Sequence, residues 1–478
     1  SPSETQNDSF KSVSRYFDRI TRPEQILTSL PQAINVMLDP ADCGPAVISM
    51  SQDVQGEAFD YPEIFFEEKI HQIRRIHPDP NQIQKAADKL KKSKQPIIIS
   101  GGGVLYSEAE EEISAFAKKH NIPVTATVMG IGCMNKDDPY YISAIGCLGE
   151  GSSNNLATDT DLALAVGTKL GDFTTGSWTN FENEDFQLVS INTSRFDTTK
   201  HRATPVVSDA KIGLQELSKA LGDWKAPDNW YQRSIEERNK WDEYVAKESG
   251  PTNQELPSYA HAVGAVYRNS DPSDIVVTAA GGLVGEVVQI WKPKELNTFE
   301  TEWGFSCMSY EISGALGIKM AKPDQDVIVF VGDGSYLLQN SDIYSSVLYD
   351  KKLIIVVCDN GGHMVINRLQ LAKGGKEYLC NLNAARATNV QFVDFEAHAK
   401  SMGANGETVK SISELEAAFK RAKESDKTYV ISMKTDGYEW LEGTAFWESP
   451  TLQVDNTKGK KSALFTFIFS FARCSSVN

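Results

Sequence analysis

Two side chains in this sequence are of the kind that hold a hard cation, and each stands in a glycine-rich turn. Asp333 lies between Gly332 and Gly334, and Asn360 is followed by Gly361 and Gly362. Magnesium takes carboxylate and amide oxygens from a protein and completes its octahedron with phosphate and water. Glycines beside such ligands let backbone N–H groups approach a phosphate with no side chain in the way. The chemistry this pairing suits is the holding of a diphosphate through a metal ion. It is not the phosphate loop of ATPases, because no Gly-Lys-Ser/Thr follows the glycines, nor the dinucleotide fingerprint, because GxGxxG is absent there.

The elements that must deliver these residues are legible as pattern. An apolar run over 327–331, an amphipathic helical stretch and a second apolar run over 353–357 read as strand, helix and parallel strand. Such a unit brings Asp333 and Asn360 to one edge of a sheet, the carboxyl edge at which open α/β sheets bind ligands. The pair Asp359-Asn360 follows the Gly-Asp-Gly after the 24 residues 335–358. Upstream, a helix over 259–269 and a strand over 274–278 lead into Ala279-Ala280-Gly281-Gly282-Leu283, another strand ending in glycine.

An earlier block repeats the alternation: helix 82–92, strand 96–100, the turn Gly101-Gly102-Gly103, helix 107–120, strands 124–127, 162–166 and 188–191, and helix 211–221. Strands alternating with helices predict an α/β fold with doubly wound parallel sheets. The triple glycine lacks the third glycine at fingerprint spacing and reads as a tight strand-to-helix turn. Residues 1–60 carry one helical pattern over 23–37 and one strand over 45–50, too little to close a sheet alone. The expected division is 1–60, a charged connector 61–79, a central domain 80–221, a connector 222–256, a diphosphate- and metal-binding domain 257–447, and an atypical tail 448–478. Trp224, Trp230 and Trp241 of the second connector are expected to pack against neighbouring domains.

Composition narrows the function classes. A net charge of −16 and a pI near 5.0 argue against nucleic acid or an anionic membrane as partner, both of which need clustered Lys and Arg. The seven cysteines and seven histidines form no CxxC, HExxH or paired spacing, which favours reduced thiols and a cytoplasmic protein over a disulfide or zinc framework. No stretch has the length of a membrane-spanning helix.

Gly-Asp-Gly, the gap, and an Asn-containing pair after a strand resemble the thiamine-diphosphate motif. With RYFDRITRPEQI, AAGGL, SCMSYEISGALGIKMA, GDGSYLLQNSDIYSSV and CDNGGHMVINRLQ, the chain from about Phe10 to Trp447 resembles thiamine-diphosphate enzymes of the acetolactate-synthase type. It looks closest to their branch in myo-inositol catabolism, hydrolases that open a cyclic trihydroxy-1,2-dione to 5-deoxyglucuronate. The resemblance implies thiamine diphosphate and Mg²⁺ as cofactors, with Asp333, Asn360 and the carbonyl of Gly362 as metal ligands. It implies Gly281, Gly282, Leu283, Ser306, Met308, Gly334, Ser335 and His363 as cofactor-binding residues. Met308 would support the V-shaped cofactor, and the Ser306 carbonyl would accept from its aminopyrimidine. A small cyclic diketone substrate and a homodimer or homotetramer follow in the same way.

The resemblance also implies an activating glutamate in a pyrimidine-binding domain, of which residues 1–60 are the closing part. No catalytic residue is therefore expected in the sequence in hand, which is expected to be a truncated fragment and inactive alone. Val284 and Val288 stand where relatives often have Pro and His, and the pattern is left after Trp447, with the apolar segment 462–478 reading as foreign sequence. A carboligase of the acetolactate-synthase kind, or a non-catalytic binding protein of the same fold, is the alternative.

Overall fold

The runs Val-Ile-Val-Phe-Val and Ile-Ile-Val-Val have no polar face to turn toward water, so as strands they must be covered on both sides, the condition of a parallel sheet flanked by helices. The computed structural model describes residues 5–385 and 392–448, and every residue of these two runs is buried in it. Its strands are β1 (Tyr16–Ile20), β2 (Ala46–Met50), β3 (Pro96–Ser100), β4 (Val124–Ala126), β5 (Tyr141–Ala144), β6 (Leu162–Val166), β7 (Gln187–Asn192), β8 (Thr204–Val207), β9 (Ile275–Thr278), β10 (Phe299–Thr301), β11 (Val327–Gly332), β12 (Ile354–Asp359), β13 (Asn405–Val409) and β14 (Tyr429–Lys434).

They form two six-stranded parallel sheets, ordered β5-β4-β3-β6-β7-β8 and β10-β9-β11-β12-β14-β13, and a separate parallel pair β1-β2. The fold is α/β with doubly wound parallel sheets, as the alternation of the sequence requires. In each six-stranded sheet the strand order reverses beside the first strand of the unit, between β3 and β6 and between β9 and β11. Those reversals open the crevices at which open sheets take ligands.

The register of β11 on β12 sets Gly332 opposite Cys358, so Asp333 and Asp359 leave the sheet side by side. β12 runs two residues past the expected end. The single helix expected after Asp333 is two, Asp333–Leu338 and Ser341–Leu348. The break falls at Gln339 and Asn340, where the Asn340 amide donates to the Tyr336 carbonyl at 3.3 Å, a local bond that competes with helix continuation.

Six strands were not anticipated: β1, β5, β8, β10, β13 and β14. β5 and β8 are short edge strands, β8 carrying Pro205, a residue that edges tolerate. β1 carries charge within its five residues and is only half covered, so it lacks an apolar run. The expected connector 222–256 is mainly the 21-residue helix Asp228–Glu248. From it Trp230 Nε1 donates to the Pro96 carbonyl at 2.9 Å, and Trp241 is buried against Gly151 and Gly443. Trp224 stacks on His120, with ring centroids 6.4 Å apart. The Asn154 amide donates to the Gly443 carbonyl at 2.8 Å, and that of Gln289 to the Gly149 carbonyl at 2.9 Å, so the two sheets are joined by polar contacts around a shared apolar core. The expectations for the tail fall, from residue 449 on, outside the described residues.

Candidate active site

At the reversal between β9 and β11, two strand ends pass into helices. β9 leads through Ala279–Gly282 into the helix Leu283–Ile290, and β11 leads directly into the helix Asp333–Leu338. Between them lies a cavity of about 240 Å³. It is lined by Gly281, Gly282, Leu283, Ser306, Met308, Asp333, Gly334, Ser335, Asn360, Gly362 and His363, together with Tyr259, Ala280, Gly332, Met364, Val365 and Ile366. All eleven residues expected from the sequence to bind a cofactor or metal thus meet in one place.

The side of the cavity that carries Asp333 and Asn360 is under electrostatic tension. The Asp333 carboxyl is buried, and that burial, with the charge of Asp359 added to it, pushes its pKa up to about 6. Asp359 itself is turned away: it accepts from Gly361 N–H at 3.0 Å and pairs with Lys434, its register partner on β14. Asn360 Oδ1 is buried and, among the described residues, has no hydrogen-bond partner. A raised carboxyl and an orphaned amide oxygen beside it are what a divalent cation would satisfy. Among the described residues no three His, Cys, Asp or Glu side chains gather as a metal cluster. The donor set is that of a hard ion that takes the rest of its shell from phosphate and water. Gly362 is pinned in place: its φ is +147°, and a Cβ there would stand 2.2 Å from the Cys380 carbonyl oxygen.

The opposite wall comes from the loop before the helix Tyr310–Ala321. Glu302 accepts from Phe305 N–H at 2.8 Å and Cys307 N–H at 2.7 Å. Ser306 and Ser309, on either side of Met308, hold φ at +50° and +78°, a left-handed conformation that costs a non-glycine residue energy and recurs at ligand-binding sites. Met308 is 37% exposed, so it belongs to the cavity rather than to the core. Its methyl lies 3.6 Å from where a Cβ at Gly334 would stand, and His363 Cε1 lies 2.7 Å from that same point. Any larger residue at 334 would collide with His363.

Sequence reasoning missed Tyr259, Trp440 and Glu311. Tyr259 lies edge-on to Trp440, and Trp440 occupies the space of a Cβ at Gly282, 2.0 Å away. Neither had a signal in the pattern. Glu311 did: it is the one acid in the otherwise apolar start of its helix. Val284 and Val288, set apart as departures, are buried core residues and do not line the cavity.

Against known families, residues 83–217 match the thiamine pyrophosphate enzyme central domain, and residues 279–433 match the thiamine pyrophosphate enzyme C-terminal TPP binding domain. The chain is 37% identical to a 3D-(3,5/4)-trihydroxycyclohexane-1,2-dione hydrolase of Halalkalibacterium halodurans, over 96% of this chain and 76% of that protein. Proteins of the same description from Shouchella clausii and Bacillus subtilis are 37% and 36% identical, each over 92% of this chain and 74% of the relative.

Proposed function

The chain belongs to the thiamine pyrophosphate enzymes, and from that premise we propose that it serves the hydrolytic C–C cleavage of a cyclic trihydroxy-1,2-dione, with Mg²⁺ beside the diphosphate. The observation that carries the reading is the convergence of a cation-type pair, Asp333 and Asn360, with two glycine turns in one cavity, the amide oxygen of Asn360 being left without a partner. Thiamine diphosphate supplies, when bound, an electron sink for breaking a C–C bond beside a carbonyl.

The chain's own residues hold and orient. The Asp333 carboxylate, the Asn360 amide oxygen and the Gly362 carbonyl would hold the metal. Backbone N–H groups of Gly282, Leu283, Gly334 and Ser335 would hold the diphosphate, the glycines leaving no side chain in the way. Gly281 and His363 border it, while Ser306 and Met308 support the organic part. In the overall change, water adds across the bond between the two carbonyls. One carbon takes hydrogen and becomes an aldehyde, the other takes hydroxyl and becomes a carboxylate, and both remain on one open chain.

Among the described residues, Asp333 is the sole carboxylate lining the cavity, so cofactor binding and turnover are separable questions. Met308 and Ile366 in the lining and Phe305, Leu337 and Leu338 beside it in the chain are exposed. An apolar surface of this kind marks an interaction site and supports a second copy of the chain packing over this face. Among the described residues no helix is long and apolar enough to cross a membrane, which is compatible with a cytoplasmic place.

The test has two arms. Thiamine diphosphate with Mg²⁺ at a hundredfold excess over Kd should stabilise the protein by about 2.7 kcal/mol, a gain that Asp333→Ala loses. Offered the cyclic dione and pyruvate in parallel, any cleavage should fall on the dione and yield the open-chain acid. Acetolactate formed from pyruvate would replace this reading with that of a carboligase.

A further inference from the structure

Behind the cavity lies a carboxylate that the proposed chemistry does not use. Glu311, in the first turn of the helix Tyr310–Ala321, is 1% exposed. Its Oε1 accepts from Ala280 N–H at 3.2 Å, and the Ser335 hydroxyl lies 3.1 Å from Oε1 and 3.0 Å from Oε2. Ser335 Oγ in turn accepts from Ser309 N–H at 2.7 Å, and the Ser309 hydroxyl donates to the Ser335 carbonyl. One side chain thereby joins three separate segments: the end of β9 leading to Gly281 and Gly282, the left-handed Ser309 beside Met308, and the first turn after Asp333.

We infer that Glu311 is a positioning residue for thiamine diphosphate: it sets the spacing between the two turns whose backbone N–H groups face the diphosphate. This rests on the cofactor reading above and deepens it. The Ser335 hydroxyl donates to Glu311 and accepts from Ser309, so it is engaged beneath the cavity, and the backbone N–H of Ser335 is what remains for the ligand. An anionic side chain under an anionic ligand is tolerable here for two reasons. It sits at a helix N-terminus, and burial raises its pKa, favouring the neutral form. At 1% exposed the side chain is fully packed, a place where an acid without such a task would be costly.

The experiment is a titration of the whole chain with thiamine diphosphate in excess Mg²⁺, read by tryptophan quenching, alongside thermal unfolding without cofactor. Removing one side of the Glu311–Ser335 hydrogen bond, which leaves its buried partner unsatisfied, should weaken binding about tenfold, so Glu311→Ala and Ser335→Ala should each do so. The double variant should be no worse than either single, because both act through the same bond. Glu311→Gln, which keeps an acceptor for Ala280 N–H, should recover most of the affinity. A purely structural role would lower the unfolding temperature and leave the affinity alone, and that result overturns the inference. So do multiplying effects in the double variant. If Glu311→Ala fails to fold, parent-like affinity in both Glu311→Gln and Ser335→Ala overturns it equally. A parent that binds no thiamine diphosphate overturns the cofactor reading itself and this inference with it.

Discussion

The two six-stranded sheets repeat one topology and use its crevice for different ends. In the first, the loops after β3 and β6 press together: a Cβ at Gly103 would stand 2.6 Å from the Gly167 Cα, and one at Gly101 would stand 2.4 Å from the Gly167 carbonyl oxygen. Glycine is needed there so that backbone can pack on backbone. In the second, Gly281 has a φ of +78° and nothing within 4 Å of a would-be Cβ. Glycine suits the left-handed turn there and leaves it open, and the proposed cofactor is what would approach it. The electrostatics differ in the same sense. The first crevice is lined by Lys169 and Asp172 among neutral groups, whereas the second is backed by the buried acids Asp333, Glu286 and Glu311. The same fold closes glycine on glycine in one crevice, beside which a cavity of about 410 Å³ remains, and leaves its glycine turn open in the other, which is why a function has to be argued from the site.

Three measurements sharpen or break this contrast. The largest effect is expected at Gly167→Ala. Backbone lies in the way of the new methyl and φ is +62°, so overpacking and a left-handed alanine together should cost about 4 kcal/mol in denaturant unfolding. A change below 1 kcal/mol would mean that the glycine contact can open, and the distinction would fail.

Next is Glu286, buried in the helix that follows Gly282, with one carboxyl oxygen lacking a partner among the described residues. Burial pushes its pKa up to about 7 from 4.5. The folded state therefore keeps its proton when the unfolded state has lost it, and stability drops as pH rises from about 4.5 through 7. The drop reaches at most about 3 kcal/mol. Glu286→Gln should flatten that slope in unfolding measured across this range, and an unchanged slope would assign the pH dependence elsewhere.

The smallest effect on folding is expected at Gly281→Ala. A left-handed alanine with open space around it should cost about 1 kcal/mol, while cofactor affinity should suffer far more, as seen by comparing unfolding with thiamine diphosphate titration. An affinity loss no larger than the stability loss would make Gly281 a packing glycine like Gly167.

The α/β alternation, the parallel sheets, and the convergence of Asp333, Asn360 and the glycine turns were legible from residue order, because ligand type, strand pattern and turn residues are local properties. The family strings of the sequence likewise pointed to thiamine diphosphate. Everything that depends on which neighbour covers which surface became visible only in the folded chain. The edge strands β1, β5 and β8 have no apolar run of their own and exist through their pairing. The helix after Asp333 breaks because Asn340 finds the Tyr336 carbonyl. Trp440 closes on Gly282 from 158 residues away. Glu311 shows the division most plainly. In the sequence it is an acid out of place in an apolar helix. Only the folded chain brings Ala280 and Ser335 to it, since hydrogen bonds between distant segments leave no periodic trace.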